Sequence, residues 1–312
     1  MKEIFHQLRM APVRPRNLNH IVRLLFGQAE ATDLRQGRIL GVLQGVATSL
    51  GSRAISILVS LLSVPLTIGY LGTELYGAWI TLGSMLAWLG LSDFGLGNGL
   101  MNAVTSAVAQ EQPELARKHV TNGVFLLSIV AITAGVLAYF VWPCINWSTL
   151  FGVTSVRAKA EIGPAVMAAV IIFLLQFPLA ISGKIYLAHR EGRIDNYWSM
   201  AANLFGLLVL LLVTHTHGGL VWLVISISGT SLAVNIVNTS WLFWWHKPHL
   251  RPSFQAIDVS TMHPLLHVGG KFFLIQLLAL IVFQTDNLVI SHYIGAARVP
   301  EYNLTYRVFE YA

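Results

Sequence analysis

Charge and sulfur are both scarce in this chain. Asp, Glu, Lys and Arg together make up 11% of its 312 residues, where a soluble domain carries about 25%. A water-facing surface of this size cannot be covered by so few charges, so a soluble enzyme is excluded and a surface that faces lipid is implied. The one cysteine, Cys144, rules out an internal disulfide. Clustered metal ligands are missing too. His215 and His217 sit in one short loop, and His246, His249, His263 and His267 near another, a pattern that reads as solvated loop histidines and gives no metal site. No secretory signal is present, because the apolar run from Ile21 to Phe26 is short and is broken by Arg23.

What is present is apolar length. Hydrophobic residues make up 55% of the chain and mean hydropathy is +0.64. Apolar runs at about 46–70, 76–103, 119–142, 163–187, 197–214, 219–245 and 265–293 reach or approach the ~20 residues that cross a ~30 Å hydrocarbon core. An incomplete run starts near residue 300. Lipid offers no partner to a free backbone amide, so such runs must be helices. The predicted fold is an all-α polytopic transmembrane bundle. No connecting gap is long enough for a separate globular domain; the longest is about 143–162.

The positive charges are sorted by side. Thirteen Lys and Arg fall in the tail before residue 39 and in alternate loops (Arg117 and Lys118, Arg190 and Arg193, Lys247 and Arg251), against three in the opposite loops, Arg157, Lys159 and Arg298. This asymmetry predicts a cytoplasmic N-terminus in an inner membrane. It also accounts for the net charge of +6 without nucleic acid as a partner. Trp142, Trp147, Trp222, Trp241, Trp244 and Trp245 lie at span ends, where aromatic belts form. Residues 1–38 read as a basic tail, either disordered or holding a short amphipathic helix capped by Asn17 or Asn19.

An internal repeat is visible. Tyr70-Leu71-Gly72 ends the first span and Tyr293-Ile294-Gly295 ends the seventh, with Tyr76 and Tyr302 opening the helices that follow. Glycine at that point suits a left-handed helix cap. Six spans per copy predict two lobes. Residues 39–245 would form the N-terminal lobe, 246–264 a cytoplasmic linker, and 265–312 the start of a second lobe. The final segment YNLTYRVFEYA begins a span that the thirteen residues from Pro300 cannot complete, which predicts a C-terminally truncated chain.

The segment PLTIGYLGTELYGAWITLGSMLAWLGLSDFGLGNGLMN (65–102), with DNLVISHYIG and YNLTYR further on, resembles the polysaccharide transporter branch of the multidrug/oligosaccharidyl-lipid/polysaccharide (MOP) flippase superfamily. The O-antigen-type flippases of bacterial inner membranes belong to that branch. The resemblance covers about residues 40–312. It implies a two-lobed, multidrug-exporter-like (MATE-like) fold of twelve or fourteen helices. It further implies that the protein moves an undecaprenyl-pyrophosphate-linked oligosaccharide between leaflets by alternating access. The implied partners are the lipid-linked oligosaccharide, the bilayer, and polysaccharide polymerase and export machinery. No cofactor is implied. Three other readings stay open: an ion-coupled multidrug antiporter of the same superfamily, a membrane-embedded glycan polymerase or ligase, and a non-transporting truncated homologue. An antiporter favours acidic residues in its first lobe, and span one has none. A polymerase or ligase needs a sizeable outer loop, and the outer loops here are short.

A sugar–pyrophosphate head cannot enter hydrocarbon without losing its hydration, so a transporter for it needs polar stripes and a few intramembrane charges. Ser49, Ser52, Arg53, Ser56, Ser60 and Ser63 share one face of span one. They line either a cavity or a helix–helix seam. Thr81, Ser84, Trp88, Ser92, Gly95, Asn98 and Asn102 recur similarly in span two, and Asn98 and Asn102 are read as the cavity or its inner mouth. GLGNGL lacks the spacing of a nucleotide loop. Arg53 and Asp93 stand equally far from the turn near residue 73, so they are predicted at one depth, either as an ion pair or with Arg53 snorkelling and Asp93 solvated. Asp286 and Arg307 are similarly matched across the turn near residue 296, about 15 Å deep. A charge there costs about 2.5–3.5 kcal/mol unless paired or hydrated, which predicts a transport role for both. Lys271, after Gly269-Gly270, either meets the pyrophosphate or snorkels. Phe272 stands where a phosphate-binding loop needs Ser or Thr, so ATP hydrolysis is not expected.

Overall fold

The computed structural model describes residues 34–89, 93–216 and 218–293, and its regular structure there is helical. Helix α1 (Leu34–Leu71) is followed by α2 (Thr73–Leu89), α3 (Leu96–Ala109) and α4 (Pro113–Val141). Then come α5 (Val156–Leu179), α6 (Ile181–Ala188), α7 (Gly192–Thr214), α8 (Gly219–His246) and α9 (Val259–Tyr293). Among the described residues, five helical stretches are long and apolar enough to cross a membrane: Leu43–Leu71, Pro113–Cys144, Val156–Ala188, Gly192–Thr214 and Gly219–His246. Their outward faces carry large apolar side chains such as Leu61, Ile132, Phe140 and Leu212, all more than half exposed, as lipid contact requires.

The predicted second span is corrected by the structure. Residues 76–103 are not one helix. Helix α2 is described as far as Leu89, and α3 starts afresh after Phe94 and Gly95, whose φ values are 50° and 70°. Asp93 makes the turn by accepting the Gly95 amide on Oδ1 at 2.9 Å. The break has a packing cause. A Cβ at Gly95 would stand 2.2 Å from the Gly269 carbonyl oxygen, and one at Gly99 2.8 Å from that of Leu265. The backbones of α3 and α9 therefore touch through a small-residue seam one turn long. The cap predicted after the first span is present, with Gly72 at φ 77° and its amide on the Ile68 carbonyl.

Among the described residues, the two larger of three hydrophobic clusters lie toward opposite ends of the bundle, and the small third one is Leu96, Leu127 and Phe177. One of the larger two joins α2, α5 and α8 through Leu75, Leu82, Ile162 and Leu223; the other joins α3, α4, α6 and α8 through Leu100, Val120, Ile185 and Leu242. The second core abuts the face that carries Arg117, Arg190, Lys247 and Arg251, called here the basic face. On the far face, acidic side chains tie helix starts together. Glu74 accepts the Thr154 and Ser155 amides, and Glu161 accepts the Leu220 amide. The Ser155 side chain, the Thr154 and Ser155 amides and the Thr154 hydroxyl together pull the Glu74 carboxyl down to about 2.

Candidate functional site

Helices α1 and α7 run parallel and are joined by a polar ladder. Arg193 donates to Gln44 at 2.6 Å, Asn196 to the Thr48 hydroxyl at 3.2 Å, and Asn203 to the Ser56 hydroxyl at 2.9 Å. Ser52, in the same stripe, is buried. The serine stripe is thus largely a seam, with small hydroxyls allowing close approach and two asparagines bridging it. Arg53, beside the stripe, is exposed.

The seam opens into a cavity of about 300 Å³. Ser63, Gln176, Asn203, Ser228 and Ser231 supply its polar lining. Asn203 lies about 17 Å along α7 from Gly192, close to the middle of a bilayer core. Ser228 is brought there by a π-turn over Ile225–Gly229, which widens α8. Hydroxyls and amides are the ligands here; among the described residues lining the cavity, none is ionisable.

Gln176 also lines a second pocket of about 230 Å³, together with Asp93, Gly97, Phe177 and Lys184. Lys184 donates to the Asn98 side-chain oxygen at 2.8 Å. Of the predicted site residues, Asp93 lines this pocket and Asn98 stands beside it, bonded to Lys184. Asn102 and Lys271 are exposed. Arg53 and Asp93 are not an ion pair: the ion pairs among the described residues are Lys118–Asp258, Arg157–Glu161, His246–Glu191 and Lys247–Glu191. The side chain of Asp286 and all of Arg307 lie outside the described residues, as do residues 1–33 of the tail, Ser92, and the Tyr302 end of the repeat.

The basic face is closed by two further clusters. Glu191, in the turn between α6 and α7, bonds His246 at 2.9 Å and Lys247 at 3.0 Å. Burial pushes its carboxyl up, but those two bonds outweigh it and hold the group below the usual range. His246 stacks on Trp241 with centroids 4.7 Å apart. The segment after α8 is fastened to α4. Asn122, fully buried, donates to the Asp258 carbonyl at 2.8 Å and accepts the Asp258 amide at 3.2 Å. Lys118 pairs with the Asp258 carboxylate at 3.0 Å, and Ser260 donates to it through both amide and hydroxyl. Asn122 also bonds Thr261. Among the described residues there is no cluster that could hold a metal.

Sequence reasoning missed Lys184, Gln176 and Asn122. Lys184 had a signal, as a lone cation inside the run 163–187; what it lacked was a visible partner, since Asn98 lies on another helix. Asn122 had none, because a single amide near a helix start is common.

Residues 42–311 match the family described as "Polysaccharide biosynthesis protein". Among curated proteins, the chain is 24% identical over 278 residues to one named for O-antigen export in Yersinia pseudotuberculosis, covering 84% of this chain and 60% of that protein. It is 23% identical over 278 residues to one named as an O-antigen transporter in Salmonella typhi, covering 88% of this chain and 62% of that protein. The chain thus spans about 60% of the length of these relatives. Among solved structures it resembles an outward-facing multidrug resistance MATE family transporter of the MOP superfamily, with TM-score 0.72 and 15% identity over 93% of this chain and 62% of that one. A MOP superfamily transporter from Pyrococcus furiosus gives TM-score 0.72 and 16% identity at the same coverage. The fold is therefore MATE-like.

Proposed function

Because this chain belongs to the polysaccharide biosynthesis protein family and is a multi-pass membrane protein, we propose that it is part of a transporter that flips a lipid-linked oligosaccharide from the inner to the outer leaflet. The observation that carries this reading is the match over residues 42–311, whose relatives are named for O-antigen export and transport and not for an enzymatic reaction. In this reading residues 39–245 form the first lobe, 246–264 the linker and the following residues the start of the second. The basic face is cytoplasmic, and Asp286 and Arg307 contribute charges to the space between lobes.

The mid-bundle cavity supports the choice of cargo. A neutral sugar is held by hydroxyl and amide groups that replace its water, and Ser63, Gln176, Asn203, Ser228 and Ser231 are such groups. A cationic drug would instead be drawn to a carboxylate, and none is among the residues lining that cavity. Alternating access would bring this wall into contact with the glycan while the lipid tail stays in the bilayer.

The test is complementation. The full-length protein would be expressed in a bacterium whose own O-antigen transporter is deleted and whose glycan matches. Restored surface polysaccharide, with loss of the lipid-linked units that accumulate inside, is the expected result. Drug resistance without polysaccharide export would replace this reading with that of an antiporter.

A further inference from the structure

The Lys184 pocket does not end at Lys184. Phe173 and Phe177 form its wall and also the wall of an apolar groove of about 560 Å³ between α2, α4 and α5. That volume lies within the 300–1,000 Å³ of small-ligand sites. Along α4 the two run continuously from Leu127 to Trp142, about 22 Å at 1.5 Å per residue. One leaflet of hydrocarbon is about 15 Å deep, half of a ~30 Å core. The groove therefore has the length and lining for a lipid chain. Its polar end sits near the basic face, with Lys184 about 6 Å from the end of α6 at Ala188.

Two charges of opposite sign line that end and are held apart, and a second carboxylate, Asp195, lies near enough to Lys184 to interact with its charge. Lys184 and Asp93 line the same pocket but do not pair with each other. Lys184 is steadied by Asn98, and Asp93 by the Gly95 amide on Oδ1, which leaves Oδ2 without a hydrogen bond among the described residues. Gly97 lies between the two. A Cβ there would stand 3.1 Å from Lys184 Cε and 3.2 Å from Asp93 Oδ2, so the missing side chain keeps the gap open. A purely anionic headgroup would meet the lysine and be repelled by the carboxylate. A purely cationic one would meet the reverse. A headgroup carrying a phosphate and, beside it, a primary ammonium satisfies both.

We propose that this pocket and groove bind one aminophospholipid, with its phosphate on Lys184, its ammonium on Asp93, and an acyl chain along Phe173 and Phe177. The bound lipid fills the space beside the break between α2 and α3 and props Phe94, which packs on Phe273 of α9 with centroids 5.3 Å apart. The site is distinct from the mid-bundle cavity, with Gln176 in the wall between them.

Native mass spectrometry of the delipidated protein in detergent would test it. Phosphatidylethanolamine, phosphatidylglycerol and phosphatidylcholine with identical chains would be titrated in turn. The expected result is that wild type binds the primary-amine lipid about fivefold more tightly than either other, the size of one partly exposed charge contact. Asp93→Asn should erase that preference while leaving phosphatidylglycerol binding intact or stronger. Lys184→Gln should weaken all three, and Lys184→Arg should restore them. Melting of each variant without lipid separates a binding defect from an unfolded protein, and the wild-type series tests the idea with no variant at all. Equal affinity of wild type for the three lipids, or an ethanolamine preference that survives Asp93→Asn in a folded protein, overturns the proposal.

Discussion

Asn122 and Asp258 are joined twice, the Asn122 side chain accepting the Asp258 amide and donating to the Asp258 carbonyl, which Thr261 also bonds, so that one buried residue of α4 holds the chain just before α9. The same Asp258 then turns its carboxylate on Ser260, at the start of α9, and on Lys118. The start of α9 is thus fixed to α4 by local chemistry, and close to α3 by the Gly95–Gly269 contact.

Asn122→Leu should therefore destabilise the protein more than its volume suggests. It leaves the Asp258 amide without its partner, a cost of about 1–3 kcal/mol, while the Asp258 carbonyl keeps its bonds from the Thr261 amide and hydroxyl. Thermal melting in detergent, compared with Asn122→Asp and with a lipid-facing control such as Leu61→Ala, would show the loss confined to the Asn122 variants.

Acid should loosen the same attachment. The Asp258 carboxyl is held down to about 2 by its bonds from Ser260 and Lys118, below an ordinary aspartate near 3.9. A depressed folded value means that the stabilising contribution is complete above about pH 4 and is lost as pH falls toward 2. Stability measured against pH should fall through that window in wild type and less steeply in Asp258→Asn, which starts lower.

The α3–α9 seam should reject side chains. Gly99→Ala places a Cβ 2.8 Å from the Leu265 carbonyl oxygen, against backbone that cannot swing away, and Gly95→Ala adds a positive φ of 70° to a 2.2 Å clash. Overpacking of this kind costs about 1–3 kcal/mol. Both variants should melt earlier, Gly95→Ala more so, while Gly270→Ala, which meets nothing within 4 Å, should not.

The mid-bundle cavity should matter to transport and little to folding. Ser228→Ala and Ser231→Ala each remove one hydroxyl that a glycan would contact, and they should lower surface polysaccharide several-fold while leaving the amount of protein in the membrane unchanged. Asp286→Asn and Arg307→Gln in the full-length protein should act in the same direction. Quantified surface glycan against membrane-inserted protein would check both pairs.

Much of the bundle was legible because lipid imposes a simple rule: runs such as 119–142 and 197–214 have to be helices, and α4 and α7 are. The break in span two was not legible. Nothing local in Asp93-Phe94-Gly95 forbids a continuing helix, and the kink becomes intelligible only once the α9 backbone is seen against Gly95 and Gly99. The serine stripe was visible as a face, but choosing between seam and cavity needed Asn196 and Asn203 on a helix far away in sequence. Depth arithmetic placed Arg53 opposite Asp93 by assuming that both helices were straight. With span two broken, Asp93 turns back to its own Gly95 amide and Arg53 stays exposed. Lys184 and Asn98 meet across 86 positions, a contact that no spacing rule within one helix can reveal.

Movement of a lipid-linked glycan across the bilayer is the activity proposed for the protein. The direct measurement is a flipping assay with the full-length protein in proteoliposomes loaded with a fluorescent lipid-linked oligosaccharide and exposed to a membrane-impermeant glycosidase. The account predicts a protein-dependent increase in glycan reached by the enzyme, reduced by Ser228→Ala with Ser231→Ala. Glycan accessibility no different from that of protein-free vesicles, with correctly folded protein present, would contradict it.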